Sequence, residues 1–492
     1  MHTRFRRWVR AAAIATVAAL ALSACASTVN GDATIVNSKN ANLDVIGGDS
    51  TSSFDQSVQN SLSDIEAFWK INYPKVSGGK PLPPLKGGLY SVDGLKVAET
   101  DSVTGPAARN ACISRSASFI VDNGAFCLLD DSISWDRADT HLFAQLAKHY
   151  GELMVALVFA HEFGHAISYR LGVFDQRPQP ETIFTESQAD CAAGAWAASA
   201  LKRENPHFRD VTAQTIDDAL EGYLDGRDST PGTINEISHG NGFDRLSALA
   251  DGIDKGATYC YSKNYFDRTF TERPFESESD YNAGGNASLA QSTDPNGFVV
   301  KDLNRFWTGA AGEIGKTLTP VRIAVAEHPK CGTNTSALLG YCPDDNTVYF
   351  STAFAAKAYN SLPGVAVDKS TGNVSLLFNQ PADFSLGVLF AIGWGMAVRH
   401  QFFGRELDDK AALLSAICYT GAYAKDVNLA VDPNYGTPKA KDLLLSPADL
   451  DEAVSALLNQ QLMAGSYGER GSTGLDRVQA FVKGYKGGLA SC

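Results

Sequence analysis

Five short segments recur in the same order in the two halves of this chain, and that recurrence limits the possible fold more than any other feature. Asp64-Ile65-Glu66-Ala67-Phe68-Trp69 is echoed by Asp302-Leu303-Asn304-Arg305-Phe306-Trp307. Phe126-Cys127-Leu128-Leu129-Asp130-Asp131 is echoed by Tyr341-Cys342-Pro343-Asp344-Asp345, and Leu157-Val158-Phe159-Ala160 by Val388-Leu389-Phe390-Ala391. Ala189-Asp190-Cys191-Ala192-Ala193-Gly194-Ala195-Trp196 matches Ala416-Ile417-Cys418-Tyr419-Thr420-Gly421-Ala422-Tyr423, and Asp244-Arg245 with Gly252 matches Asp476-Arg477 with Gly484. A chain of 492 residues is too long for one ordinary core. An ordered internal repeat resolves it into two like domains. Copy one spans 56–262 and copy two 297–492, with a linker at 263–296 rich in Ser, Glu, Asn and Gly.

Each copy reads as α+β, mostly helical with a small sheet. A helix carrying Phe-Trp leads into a Gly/Pro-rich stretch, clearest at Gly78 to Gly88. Strand-like alternation follows, as in Thr347-Val348-Tyr349-Phe350, and then the core helices. A later helix starts near Thr212, matched by Ser446-Pro447. The copies are expected to pack as a pseudo-dimer through related faces. Phe163, Tyr169 and the Phe68-Trp69 pair read as core, and the Asp130-Asp131 and Asp344-Asp345 pairs as turn residues.

The cysteines follow the repeat. Cys112, Cys127, Cys191 and Cys260 match Cys331, Cys342, Cys418 and Cys492 in order. Four cysteines per copy allow three pairings, and the short loops favour Cys112–Cys127 and Cys331–Cys342. That leaves Cys191–Cys260 and Cys418–Cys492.

His161-Glu162-Phe163-Gly164-His165 carries the chemistry. Histidines four apart on a helix point the same way, so both imidazoles reach one zinc ion. The apolar run Leu153 to Ala160 leads into this helix and Gly172 is a reasonable stop. Glu162 is placed to act as general base on the attacking water. Two histidines leave zinc short of a protein ligand. Glu186 supplies a third, and Asp190, one helical turn on, an acceptor for a histidine N–H.

These two segments, with Cys191 to Trp196 after them, resemble the bacterial neutral zinc metallopeptidases, which belong with the thermolysin-like glutamate zincins. The flanking Phe126 to Asp131, and His239-Gly240 through Arg245 to Gly252, match as well, so the resemblance covers roughly residues 60 to 262. It implies a zincin-like fold, a Zn2+ cofactor and peptide hydrolysis.

Copy two lacks these groups. Ile392, Gly393 and Met396 stand where His161, Glu162 and His165 stand. Leu413 or Leu414 replaces Glu186, Ile417 replaces Asp190, and about Gly471 replaces His239. Because it disappears along with the metal set, His239 is a candidate donor to the oxyanion of the tetrahedral intermediate.

The first residues add an address. Arg4, Arg6, Arg7 and Arg10 precede an apolar run ending at Ala24, which reads as a signal peptide over 1–24. Leu22-Ser23-Ala24-Cys25 resembles a bacterial lipobox, so cleavage before Cys25 and its acylation would anchor the chain to the outer face of the cell membrane. Residues 25–55 then read as a lipidated flexible tether. The net charge of −13 becomes more negative once the four arginines are removed, which argues against nucleic acid and against membrane contact beyond the lipid. The expected function is a lipid-anchored, zinc-dependent peptidase acting on peptides or proteins of the cell envelope. Its second copy is free to bind a protein partner. The alternative is a non-catalytic envelope binding or scaffold lipoprotein with a residual zinc site.

Overall fold

Asp55 decides where the folded chain begins. It is fully buried in the first turn of helix α1 (Ser53–Val76), where its carboxylate accepts from Ser91 Oγ at 2.8 Å and Trp135 Nε1 at 2.7 Å. Ser52 caps the helix, and the Ala41 and Leu43 N–H groups donate to Asn60 and Gln59 on it. Strand β1 (Val45–Ile46) pairs in parallel with β2 (Gly88–Val92). The expected tether is therefore too long at its C-terminal end: residues 41–55 are held by α1 and β2 because backbone donors among them have partners there. The computed structural model describes residues 39–173, 182–227, 239–271, 285–329, 336–367, 373–428 and 445–492. The signal peptide and Cys25 lie outside the described residues.

After helix α2 (Gly94–Thr100), strands β3 (Gly124–Cys127) and β4 (Ser132–Asp136) complete a sheet of order β1-β2-β4-β3. β4 is parallel to β2, and β3 is the antiparallel edge. The β3–β4 turn carries Asp130 and Asp131. Asp131 has a left-handed backbone (φ 59°), accepts from the Lys86 N–H and pairs with Arg170 at 2.8 Å, a turn role as expected. The Cys112–Cys127 disulfide ties the preceding loop to β3.

Helices α3 (Leu142–Tyr150), α4 (Glu152–Arg170), α5 (Thr182–Leu201), α6 (Ala213–Asp225) and α7 (Gly242–Lys255) form the rest of the first half. α4 and α5 are mostly apolar and mostly buried, which suits helices packed on several sides. Three glycines set how closely α4 and α7 approach α5. A Cβ at Gly164 would stand 3.0 Å from the Ala189 Cα, one at Gly194 would overlap the Leu249 carbonyl, and one at Gly252 would overlap the Cys191 carbonyl. The Cys191–Cys260 disulfide ties α5 to the one-turn helix α8 (Ala257–Cys260).

The expected linker is also shorter than 263–296. Helix α9 (Lys263–Phe266) buries Tyr265, Arg268 pairs with Asp251 at 2.6 Å, and Thr271 bonds Asp244, so residues 263–271 belong to the first half. Helix α10 (Leu289–Ser292) packs with the second half, which continues through α11 (Phe298–Glu313), β5 (Arg322–Val325), β6 (Leu339–Cys342), β7 (Thr347–Phe350), α12 (Thr352–Tyr359), β8 (Leu362–Val367) and β9 (Val374–Gln380). Helices α13 (Asp383–Phe403), α14 (Lys410–Val427), α15 (Asp449–Leu458), α16 (Gln460–Gly465) and α17 (Gly474–Gly487) follow.

This half uses the same parts. Its sheet has order β5-β7-β6, with β5 parallel and β6 antiparallel to β7, as β2 and β3 are to β4. Gly395 faces Ala416, Gly421 would overlap the Phe481 carbonyl, and Gly484 the Cys418 carbonyl, in the positions of Gly164, Gly194 and Gly252. The Cys418–Cys492 disulfide sits where Cys191–Cys260 does. For the fourth expected bridge, Cys331 lies outside the described residues. Among the described residues the β8–β9 hairpin occurs only in this half, and it touches the first, with the Val374 N–H donating to Thr140 O.

The halves hold each other by a reciprocal exchange. Asp217 on α6 accepts from the Gly474 and Leu475 N–H groups at the start of α17, at 2.5 and 3.0 Å. Asp451 on α15 accepts from the Phe243 N–H at the start of α7, at 2.8 Å, and pairs with Arg227 at 3.4 Å. Phe243 stacks edge-on against Tyr485, centroids 4.8 Å apart. The two halves thus meet through α6 and α7 on one side and α15 and α17 on the other. Burial pushes both carboxyls upward despite these donors, so their contribution is to satisfy buried N–H groups rather than to add net charge energy. Asp451→Ala orphans the Phe243 N–H and leaves Arg227 short of a partner. It is expected to cost about 1–3 kcal/mol of stability, read by urea denaturation. An unchanged midpoint would show that this exchange does not join the halves.

Candidate metal centre

His161 and His165 lie one turn apart on α4, and Glu186 and Asp190 one turn apart on α5. The Gly164–Ala189 contact falls between the two pairs, so the closest approach of the helices is also where the four side chains meet. The Nε2 atoms of His161 and His165 are 3.1 Å apart, and Glu186 Oε2 lies 3.1 Å from the first and 3.3 Å from the second. Ligand atoms set tetrahedrally around zinc at 2.0–2.1 Å stand about 3.3 Å apart. The triangle therefore has the size of one face of a tetrahedral zinc site, made of two nitrogens and a carboxylate oxygen.

His161 Nδ1 lies 2.7 Å from Asp190 Oδ1. With its proton on Nδ1, His161 presents a bare Nε2 to the triangle. Asp190 is itself held. It accepts from Tyr223 Oη on α6 and from Arg245 on α7, whose Nη2 lies at 3.2 Å and whose guanidinium stacks 4.6 Å over the Tyr223 ring. All four groups are buried. Burial opposes the Asp190 charge, but Arg245 and His161 outweigh it and hold the carboxyl low. Burial likewise opposes charge on His161, yet Asp190 and Glu186 push its pKa up to about 10. Glu186, despite burial, is held well down by the two histidines. The two ionised carboxylates, Glu186 and Asp190, thus make the pocket favour a positive charge among them.

Glu162 stands beside the triangle. Its Oε2 accepts from the Phe126 N–H on the edge strand β3 at 2.7 Å, while Oε1 is 3.9 Å from His161 Nε2. Tyr169, expected in the core, is instead 41 % exposed. It lies four residues beyond His165, so it continues the metal-bearing face of α4 toward solvent, and its ring lies 6.0 Å from Phe126. Phe163 and Trp69 are buried as expected. His239 is exposed, two residues before the N-cap Asn241 of α7, and is not a member of the ligand triangle.

Tyr223 and the role of Arg245 were not read from the sequence. A signal for Tyr223 existed: Leu457 occupies the matching place on α15, an apolar group where the first half has a hydroxyl. Arg245 gave none, because its match Arg477 is retained. In the second half Arg477 donates to the Leu457 and Ser472 carbonyls instead of a carboxylate. There Ile392, Met396, Leu413 and Ile417 are buried, and a Cβ at Gly393 would overlap Tyr467 and Val348.

Two other clusters have ligand-type atoms close together. In Asp122–Asp136–His141, the Asp136 oxygens already accept from the Gly94, Ala138 and Asp122 N–H groups and face His141 Nδ1 at 2.5 Å, so the group is a turn lock. In Asp383–Asp449–Glu452, Asp383 Oδ1 and Glu452 Oε1 are buried without a donor. Burial raises Asp383 to about 6 and, aided by Asp449 and Asp383, lifts Glu452 well above its usual range. A proton shared between the two carboxyls satisfies both oxygens.

No protein-family model matches the chain, and no solved structure matches it. Proteins of Mycobacterium bovis and of two Mycobacterium tuberculosis strains, each described only as uncharacterized, are 33% identical to it over 110 residues. The match covers 19% of this chain and 36% of each relative, so the chain spans about a third of their length.

Two outcomes follow. On the reading that His161, His165 and Glu186 hold zinc, Asp190→Asn should bind it about 10–100-fold more weakly, measured by competition with a chromogenic chelator, and wild-type affinity would remove Asp190 from the site. For the acid pair, folded pKa values above the unfolded ones mean stability that is full below the unfolded carboxylate range and is lost as pH rises through the folded values. Glu452→Gln supplies a permanent donor, so its stability relative to wild type should rise between pH 5 and pH 8 in denaturation curves. A pH-independent difference would contradict the shared proton.

Proposed function

We propose that the first half is a zinc-dependent peptidase and that the second half is a metal-free copy of the same domain. The observation that carries this is the ligand triangle with Glu162 directly beside it. Zinc, when bound by His161, His165 and Glu186, supplies Lewis-acid polarisation of a carbonyl and makes water a stronger acid. The protein's own groups do the rest. The Phe126 N–H fixes one oxygen of Glu162 and leaves the other turned toward the triangle. That oxygen takes the proton of the attacking water and returns it to the leaving amine. Asp190, Tyr223 and Arg245 keep His161 in the tautomer that ligates. Tyr169, exposed on the same helix face, offers a wall for substrate. His239, on the segment before α7, is a candidate donor to the oxyanion.

The same proposal places the protein outside the cytoplasm, lipid-anchored through Cys25, with peptides or proteins of the cell envelope as substrates. The three described disulfides suit an oxidising compartment. Among the described residues no helix is long and apolar enough to cross a membrane.

Glu162→Gln keeps the ligand set and removes the base. It should retain zinc and lose cleavage of an unbiased peptide library by about 10²–10⁴-fold, scored by mass spectrometry with and without chelator. Wild-type cleavage by that variant would reject the mechanism.

A further inference from the structure

The second half keeps a cavity where it has lost the metal groups. About 380 Å3 of space is lined by Tyr341, Met396, His400, Leu407, Tyr467 and Arg470, among others. Met396 occupies the register position of His165, and Tyr341 that of Phe126. The cavity thus stands over α13 as the candidate metal centre stands over α4.

Its charge is unusual. Arg470 lines it, and Arg399, 6 % exposed, lies close enough for the two positive charges to oppose one another. Their hydrogen bonds run only to neutral carbonyls. Arg470 donates to Tyr467 O at 2.8 Å and to Leu407 O, and Arg399 donates to Glu406 O at 3.2 Å. Arg399 Nε is buried without an acceptor. Among the described residues neither guanidinium forms an ion pair. Asp408 and Asp409 favour the Arg470 charge only from a distance, and burial works against it. A buried Arg399 beside a half-buried Arg470, like charges without a paired anion, is costly, and a planar guanidinium is suited to carboxylate. The inner wall is otherwise mainly aromatic or apolar, from Tyr341, Met396, Leu407 and Tyr467 with Ser466, and the exposed rim carries His400, Arg405, Glu406 and Asp408.

We propose that this cavity binds the free α-carboxylate of an apolar amino acid or of a peptide ending in one, with Arg470 receiving the carboxylate and Met396 and the tyrosines the side chain. The inference rests on the cavity and its guanidiniums, not on cleavage by the first half.

Calorimetry on the full mature chain tests it with four probes: acetyl-Ala-Leu with a free carboxylate, its C-terminal amide, leucine and inorganic phosphate. The free acid should bind at least tenfold more tightly than the amide and than phosphate. Leucine binding as well as the dipeptide would mark a free amino acid as the ligand, and weaker leucine binding a peptide terminus. Equal binding of acid and amide, phosphate as good as the acid, or no binding of the acid overturns the proposal. Arg470→Gln should abolish binding of the acid. Because Arg470 also holds two carbonyls, His400→Glu on the exposed rim is the second variant, and it should weaken binding at least tenfold by charge repulsion. Wild-type binding by a folded His400→Glu protein would also overturn it. Glu162→Gln should bind the acid as wild type does, which separates this result from the fate of the peptidase reading.

Discussion

The structure depends on how closely three helices approach in each half. Gly164, Gly194 and Gly252 remove the side chains that would hold α4, α5 and α7 apart, and Gly395, Gly421 and Gly484 do the same for α13, α14 and α17. A methyl group at the Leu249, Cys191, Phe481 or Cys418 carbonyl would overlap backbone, which cannot yield as a flexible side chain does. The disulfides Cys191–Cys260 and Cys418–Cys492 tie the segments that follow α7 and α17 back onto α5 and α14. In the first half the approach places imidazoles from one helix within bonding distance of carboxylates from the next.

The halves differ in what fills that junction. One holds two histidines, two carboxylates, a tyrosine and an arginine in a single bonded network. The other packs Ile392, Met396, Leu413 and Ile417 there, and its arginine turns to carbonyl oxygens. Similar glycine-set helix packing thus accommodates a polar junction in one half and an apolar one in the other. The reciprocal Asp217 and Asp451 contacts show what such a half still provides: each satisfies the first turn of a helix in the other.

Much of this was legible because the decisive signals are local. The four-residue spacings of His161–His165 and Glu186–Asp190 state which groups share a helix face, and the structure brings both faces together. The repeat told Gly164, kept as Gly395, from the histidines, which are not kept, and both glycines lie at helix contacts. The alternation at Thr347 to Phe350 is strand β7. Thr212 is an N-cap, whereas the helix after Ser446 starts at Asp449, whose side chain bonds back to Ser446. What failed was non-local. The ends of the tether and linker looked polar and loose, but Asp55 and Arg268 are anchored by partners far along the chain. Tyr169 looked like core because its neighbours are apolar, yet its place on α4 follows the histidines and not the buried stripe. Tyr223 reaches Asp190 from a different helix, and no spacing within its own segment announces that.

The central claim is that two imidazoles and one carboxylate of the first half hold a single zinc ion. Metal analysis of the purified protein, joined to X-ray absorption at the zinc edge, addresses it directly. The account predicts about one zinc per chain with nitrogen and oxygen neighbours at about 2.0–2.1 Å and two imidazole scattering patterns. Protein that stays free of zinc when the metal is supplied, or a zinc shell containing sulfur, would contradict it.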